Sequence, residues 1–144
     1  KTEGRIRYLG VTHYMSSAFD ELEAMMRAER LDFVQLNYAL DDRAAEQRLL
    51  PLAAERGIAI LVNRPFGGGD LLGRLGRSKL PDWAAEIGCT SWAQILLKFV
   101  LANPAVTCAI PATSRPQHMS DNVQAGIGNY PDAALRARMI AALE

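Results

Sequence analysis

One pattern constrains the fold of this chain more than any other: a short apolar run followed by an amphipathic helical stretch, four times over. The runs are Ile6 to Val11 (IRYLGV), Phe33 to Leu36 (FVQL), Ile58 to Val62 (IAILV) and Val106 to Ile110 (VTCAI). Each has the length of a strand rather than of a helix, and each is followed by apolar residues at helical spacing. Strands that alternate with helices build a parallel sheet with right-handed crossovers, since a parallel neighbour can be reached only through a long connection. Two architectures satisfy this, an open doubly wound sheet and part of a (β/α)8 barrel. Four units are half of what a barrel needs. The third run is almost wholly apolar and is expected to be covered on both faces, and the fourth is expected to be a buried strand.

The connecting segments carry helix signals. Ser16 or Ser17 is expected to cap a helix with Phe19, Leu22, Met25 and Met26 on one face, both methionines serving as core filler. Glu21 and Glu23 near its start and Arg27 and Arg30 near its end suit the helix dipole. A second helix runs from about Ala44 to Arg56 and stops at Gly57, with Pro51 dividing a short entry segment from the main helix. After the longest irregular stretch, NRPFGGGDLLGRLGRSKLPD, come a short helical segment near Asp82 to Ile87 and a stronger helix from Ser91 to Asn103. The latter puts Trp92, Ile95, Leu96, Phe99 and Val100 on one stripe and ends before Pro104. A helix from Pro116 to about Ala125 follows the fourth strand, and a last one, Asp132 to Leu143, is expected to be an appendage.

Composition narrows the function classes. The 144 residues are read as one domain, 1–144, and the sixteen Lys and Arg balance the sixteen Asp and Glu, a distribution that recruits neither nucleic acid nor an anionic membrane. Cys89 and Cys108 stand in no CxxC or Cys/His spacing, which argues against a zinc site or a disulfide framework and suits a reducing cytoplasm; Cys108 is expected in the core. No apolar run has the length of a membrane span, and KTEGRIRY resembles neither a signal nor a transit peptide. The missing initiator Met is what a processed or truncated piece of a longer chain would show.

Polar residues gather where the strands end: Thr12 and His13, Gln35 and Asn37, Asn63 and Arg64, and Thr113 to Arg115. That end of the strands is where parallel α/β proteins place their ligand sites. In the last of these segments the strand leads through a polar turn into a helix opening at Pro116, where the residue's missing N–H costs nothing. Helix N–H groups, the hydroxyls of Thr113 and Ser114 and the Arg115 guanidinium make this a candidate anion site. On spacing alone, an ordinary strand-to-helix connection with a surface arginine remains open.

The segments GVTH at Gly10 to His13, QLNY at Gln35 to Tyr38, LLPLAAERGIAILVNRPFGGGDL at Leu49 to Leu71 and IPATSRPQHMSDN at Ile110 to Asn122, in this order, resemble the C-terminal half of an aldo-keto reductase. The resemblance runs essentially end to end. It implies an α/β fold that is the C-terminal half of a (β/α)8 TIM barrel, its strands five to eight, with the last helix one of the family's two extra helices. It implies a nicotinamide cofactor, NADPH by preference with NADH left open, and a small aldehyde or ketone substrate. Thr12 and His13 stand where the family has Ser and Asn on the nicotinamide carboxamide, and Gln35 matches the family's Gln there. Asn63 replaces a Tyr that stacks on the nicotinamide ring. Arg64, Pro65, Phe66, Gly67, Gly68 and Gly69 match the loop over the pyrophosphate. Ala112 replaces a Lys for the 2′-phosphate and His118 an Arg, so that Thr113, Ser114 and Arg115 remain for that phosphate, while Asp121 and Asn122 match the residues that hold the adenosine.

The same resemblance places the catalytic Asp, Tyr, Lys and His on the first half of the barrel, before Lys1. Tyr8, Tyr14, Tyr38 and Tyr130 lie outside the family's catalytic motif, and the chain alone is expected to be inactive. Two readings follow. One is the cofactor-binding half of a reductase. The other is a non-catalytic nucleotide-binding or regulatory half-barrel. A third, an unrelated open α/β domain, needs no cofactor. An isolated half-barrel exposes two sheet edges and an apolar face, so partnership with the missing N-terminal half or with another copy is expected.

Overall fold

In the computed structural model, which describes residues 1–143, the four apolar runs form one parallel sheet. Its strands are β1 (Gly10–Thr12), β2 (Phe33–Asn37), β3 (Ala59–Asn63) and β4 (Val106–Ala109). They lie side by side in sequence order, and every neighbouring pair is parallel. A doubly wound sheet reverses its strand order at a switch point. None occurs among the described residues, so the half-barrel is the architecture found.

Sequential order also decides burial, because crossovers of one hand carry every helix to the same face. Val34, Leu36, Ile60 and Val62 are fully buried on that face, while Phe33, Gln35, Ala59 and Leu61, which point the other way, are only half-buried. The expectation that the third strand is covered on both faces therefore fails. The two edges depart from expectation as well. Ile6, Tyr8 and Leu9 are exposed and precede β1, where pairing to β2 begins only at Gly10. In β4, Thr107 and Cys108 are exposed, as is Ile110 just beyond it, which corrects both the buried fourth strand and the core placement of Cys108. The cause is an edge with a register shift beside Ile60 and Leu61, where the Thr107 hydroxyl accepts the Ile60 N–H at 3.1 Å.

Among the described residues, six α-helices surround the covered face: α1 (Phe19–Ala28), α2 (Leu49–Arg56), α3 (Asp70–Leu75), α4 (Trp92–Leu101), α5 (Pro116–Gln124) and α6 (Ala133–Ala141). Helix α1 buries Phe19, Leu22 and Met26, but Met25 is exposed, since at 100° per residue it falls on the flank of that stripe. Neither Ser16 nor Ser17 caps α1; both belong to a 3-10 turn ahead of it, and the Ser16 hydroxyl donates to Asp42 instead. The second helical region divides at Gln47 and Arg48, after a 3-10 turn over Ala44–Glu46, so that Pro51 lies in the first turn of α2. Helix α3 is an element that the irregular stretch concealed. Helix α4 buries the whole expected stripe and is capped by Ser91, whose Oγ accepts the Gln94 N–H at 3.1 Å.

Helix α6 is no appendage. Leu135 and Met139 are in the core, and Arg136 reaches the Phe99 carbonyl, the Glu46 carboxylate and the Tyr38 hydroxyl while lying 4.0 Å from the Phe99 ring centre. Burial, and then the hydrogen bond to Glu46, pushes the Tyr38 phenol up to about 12. Lys98 of α4 is buried and donates to the carbonyls of Ile127 and Asn129 at 2.6 and 2.8 Å, fixing the segment between α5 and α6.

Candidate functional site

The parallel register brings the polar strand ends together at the carboxyl end of the sheet. Thr12 stands opposite Gln35, and Asn37 opposite Asn63. The Gln35 amide donates to the Thr12 hydroxyl at 2.9 Å. The His13 N–H continues the β1–β2 pairing to the Gln35 carbonyl, and the Asn63 amide donates to the His13 carbonyl at 3.2 Å. Thr12, His13, Gln35 and Asn63 thus form one connected group. His13 Nδ1 accepts the Met15 N–H at 3.1 Å, which leaves the proton of the neutral ring on Nε2. Its ring stacks on Tyr14, and the Arg64 guanidinium lies 5.6 Å from the Tyr14 ring centre. Two buried side-chain oxygens, Asn37 Oδ1 and Asn63 Oδ1, have no hydrogen-bond partner. An unmatched buried acceptor is costly, and such atoms mark places where a donor belongs.

Beyond β3 the backbone turns sharply. Arg64 has φ 50°, and Gly67, Gly68 and Gly69 have φ 61°, 73° and 106°. A run of left-handed residues is open to glycine and strained for any other. Space adds a second demand, because a side chain on Gly68 would press into the Arg64 guanidinium and one on Gly67 into the Asp41 carboxylate. Pro65 is buried and Phe66 packs against the core, so the loop is pinned at its root while Arg64 stays exposed.

The β4–α5 turn forms the far end. Arg115 is the N-cap of α5 and Pro116 its first residue. The Thr113 hydroxyl is folded back, accepting the Arg115 N–H at 3.2 Å. A cavity of about 480 Å³ lies between this turn and the glycine loop, lined by Phe66, Gly69, Trp92, Ala112, His118 and Asp121 among others. Thr113 and Asn122 also line it; Arg115 and Ser114 stand exposed outside it. Asp121 is held firmly, with one carboxylate oxygen accepting from the Ser91 hydroxyl at 2.6 Å and the other from the Gln94 amide at 2.5 Å.

Three features escaped sequence reasoning. Asn37 donates to both Asp42 (2.6 Å) and Ser16 (3.0 Å), closing a triangle between the first two strand ends. Tyr14 joins the His13 and Arg64 groups, and Trp92, counted as core, also lines the cavity. The polar tips flagged the region, but no local signal links Asn37 to Ser16 or Tyr14 to Arg64.

The profile of the aldo/keto reductase family matches residues 1–137. Over 84 residues the chain is 34% identical to the NADH-specific methylglyoxal reductase of Escherichia coli (strain K12), an alignment covering 58% of this chain and 25% of that protein. It is 26% identical over 148 aligned positions to the uncharacterized oxidoreductase YrpG of Bacillus subtilis (strain 168), covering 85% and 44%. The holo form of aldo-keto reductase AKR11C1 from Bacillus halodurans superposes with a TM-score of 0.73 at 23% identity, over 99% of this chain and 52% of that one. The glycerol dehydrogenase AKR11B4 from Gluconobacter oxydans gives 0.72 at 19%, over 99% and 50%. At these identities the structural likeness speaks to the fold alone. The chain spans about half the length of these structures and less than half that of the two curated relatives. With its sequence matched by the family profile from Lys1 to Ala137, and its four sequential βα units covered almost entirely by both structures, this chain belongs to the aldo/keto reductase family.

Proposed function

We propose that this chain, as one domain, is the dinucleotide-binding half of a carbonyl-reducing oxidoreductase that uses NADH or NADPH. The observation that carries the reading is the alignment of three kinds of polar device across the carboxyl end of the sheet: the Thr12–Gln35 pair with the unmatched Asn63 oxygen, the left-handed loop with Arg64, and the cavity before α5. The residues fit the cofactor. A carboxamide N–H is the donor that Asn63 Oδ1 lacks, with Thr12, His13 and Gln35 orienting the same group. Arg64 and the open backbone of Gly67 and Gly68, seated by Pro65 and Phe66, suit a pyrophosphate, since guanidinium forks and bare loop N–H groups are what phosphate oxygens take. Thr113, Ser114, Arg115, His118, Asp121 and Asn122 surround the adenosine end.

When bound, the cofactor supplies hydride to an aldehyde or ketone. This chain binds and orients it, and the matching proton comes from the family's other half, so the chain by itself turns over no substrate. The reading is supported by the E. coli relative, whose name makes it a reductase specific for NADH. The uncovered sheet face and the two edges favour a partner, either that other half or a second copy, and the setting is cytoplasmic. No helix among the described residues is long and apolar enough to cross a membrane. Without the other half the chain is a nucleotide-binding module, which the same binding experiment detects. Titration of the chain with NADH and with NADPH, followed by nicotinamide fluorescence, should saturate with at least one of them. No binding of either at hundredfold excess refutes the reading.

A further inference from the structure

We propose that a cavity beside the glycine loop binds a small aliphatic primary amine in its ammonium form, a ligand distinct from the dinucleotide. This cavity of about 440 Å³ lies where β1, β2 and β3 end, and Asn37, Asp41, Asp42, Tyr14, Met15 and Arg64 line it. Apart from Arg64 and Gly67, its lining shares no residue with the groups proposed for the cofactor. Asn37 is the residue that points to a ligand. It is 5% exposed, and its amide nitrogen donates to Asp42 and to Ser16, whose own hydroxyl donates to the same Asp42 oxygen at 2.8 Å. Turning the amide over would set its oxygen against that carboxylate, so Oδ1 is fixed as the atom without a partner. A buried acceptor in this state calls for a donor.

The surrounding charges select the donor. The second oxygen of Asp42 meets only the Ala44 N–H, at 3.4 Å, and among the described residues no ion pair engages Asp41 or Asp42. Arg64, the cation of the lining, lies over the Tyr14 ring instead. Two carboxylates and an amide oxygen only accept, so the complementary group is one that carries positive charge and several N–H bonds and accepts nothing. A primary ammonium is such a group. A divalent metal ion matches less well, because it takes about six or more oxygen ligands. No group of three or more His, Cys, Asp or Glu among the described residues could hold one. The exposed side chains of Tyr14 and Met15 give an aliphatic body a wall to lie against.

The test is titration of the full chain, at neutral pH and constant ionic strength, with n-propylammonium, n-propanol and tetramethylammonium, followed by the amide shifts in proton–nitrogen NMR spectra. n-Propylammonium should saturate, moving the amides of Ser16, Asp42 and Gly67 and leaving that of Cys108 in place. n-Propanol lacks the charge and tetramethylammonium the N–H donors, so each should bind more weakly by about tenfold, the worth of a charged hydrogen bond. Asp41→Asn, at an exposed position without an ion pair, should weaken n-propylammonium by about tenfold as well and leave the urea midpoint where it is. Equal binding of either control, an Asp41→Asn that binds as the parent does, shifts confined to other residues, or no saturation overturns the proposal. So does displacement of n-propylammonium by a lower concentration of magnesium or calcium chloride, which would make this a metal site. None of these outcomes bears on the dinucleotide reading, which the NADH and NADPH titrations decide separately.

Discussion

Replacing Gly68 by Ala should damage the site through Arg64 rather than through the fold. Gly68 has φ 73°, and its added Cβ would overlap Arg64 Nη2 and come within 3.2 and 3.3 Å of the guanidinium carbon and Nε. The left-handed backbone costs Ala about 1–2 kcal/mol. The crowded atoms are the far end of a flexible, exposed side chain, so Arg64 yields by rotating away and the steric part adds little to that cost. What is lost is the placement of the guanidinium. A hydrogen bond to a charged group is worth about 1.5–3 kcal/mol, which is about 10- to 150-fold in affinity for the dinucleotide. Arg64→Ala should lose the same amount without the backbone strain. If Gly68 matters because it leaves room for Arg64, the two losses are one loss, and Gly68→Ala in an Arg64→Ala background should cost less than about twofold further. The assay is nucleotide-fluorescence titration of the four proteins of this cycle, with urea denaturation of each to separate affinity from stability. Affinity losses that multiply in the double variant, or a Gly68→Ala that binds as the parent does, would refute the reasoning.

The two thiols should behave oppositely. Cys89 is buried and burial, foremost, pushes its thiol up to about 11, whereas Cys108 is exposed at the β4 edge. Because the thiolate is the reactive form, an aromatic disulfide reagent at pH 8 should titrate one thiol quickly and the second only on unfolding; two fast thiols would contradict the burial, and none would contradict the exposed edge. Lys98→Met should lower stability by about 1–3 kcal/mol, because the carbonyls of Ile127 and Asn129 lose the donor that Lys98 gives them. The urea midpoint reads this directly, and an unmoved midpoint would show that water serves those carbonyls equally well.

Local signals predicted the local structure. Gly57 ends α2, Ser91 caps α4, Pro116 opens α5, and the stripe from Trp92 to Val100 is buried as its spacing requires. These outcomes depend on a few neighbouring residues, on which caps, breakers and side-chain periodicity act. Errors arose where a residue's environment comes from elsewhere in the chain. Cys108 and Leu61 have the composition of core residues, yet one lies at a sheet edge and the other on the uncovered face. Asp132 to Leu143 has nothing to mark it as a clamp until Arg136 meets Glu46, ninety positions away.

The candidate site divides in the same way. By itself the sequence determined the four strand–helix units, the polar residues at their ends, the glycine loop and the family they resemble, since each is a property of composition and spacing along the chain. Only the tertiary structure decided that the strands lie in sequential order with one face left open, that Arg64 rests between Gly68 and Tyr14, and that Asp121 is held by Ser91 and Gln94 in the lining of the cavity before α5. The reason is physical: an apolar pattern says that a side chain can be buried and a charge that it can be paired, but the partner is chosen by the packing of segments far apart in the chain.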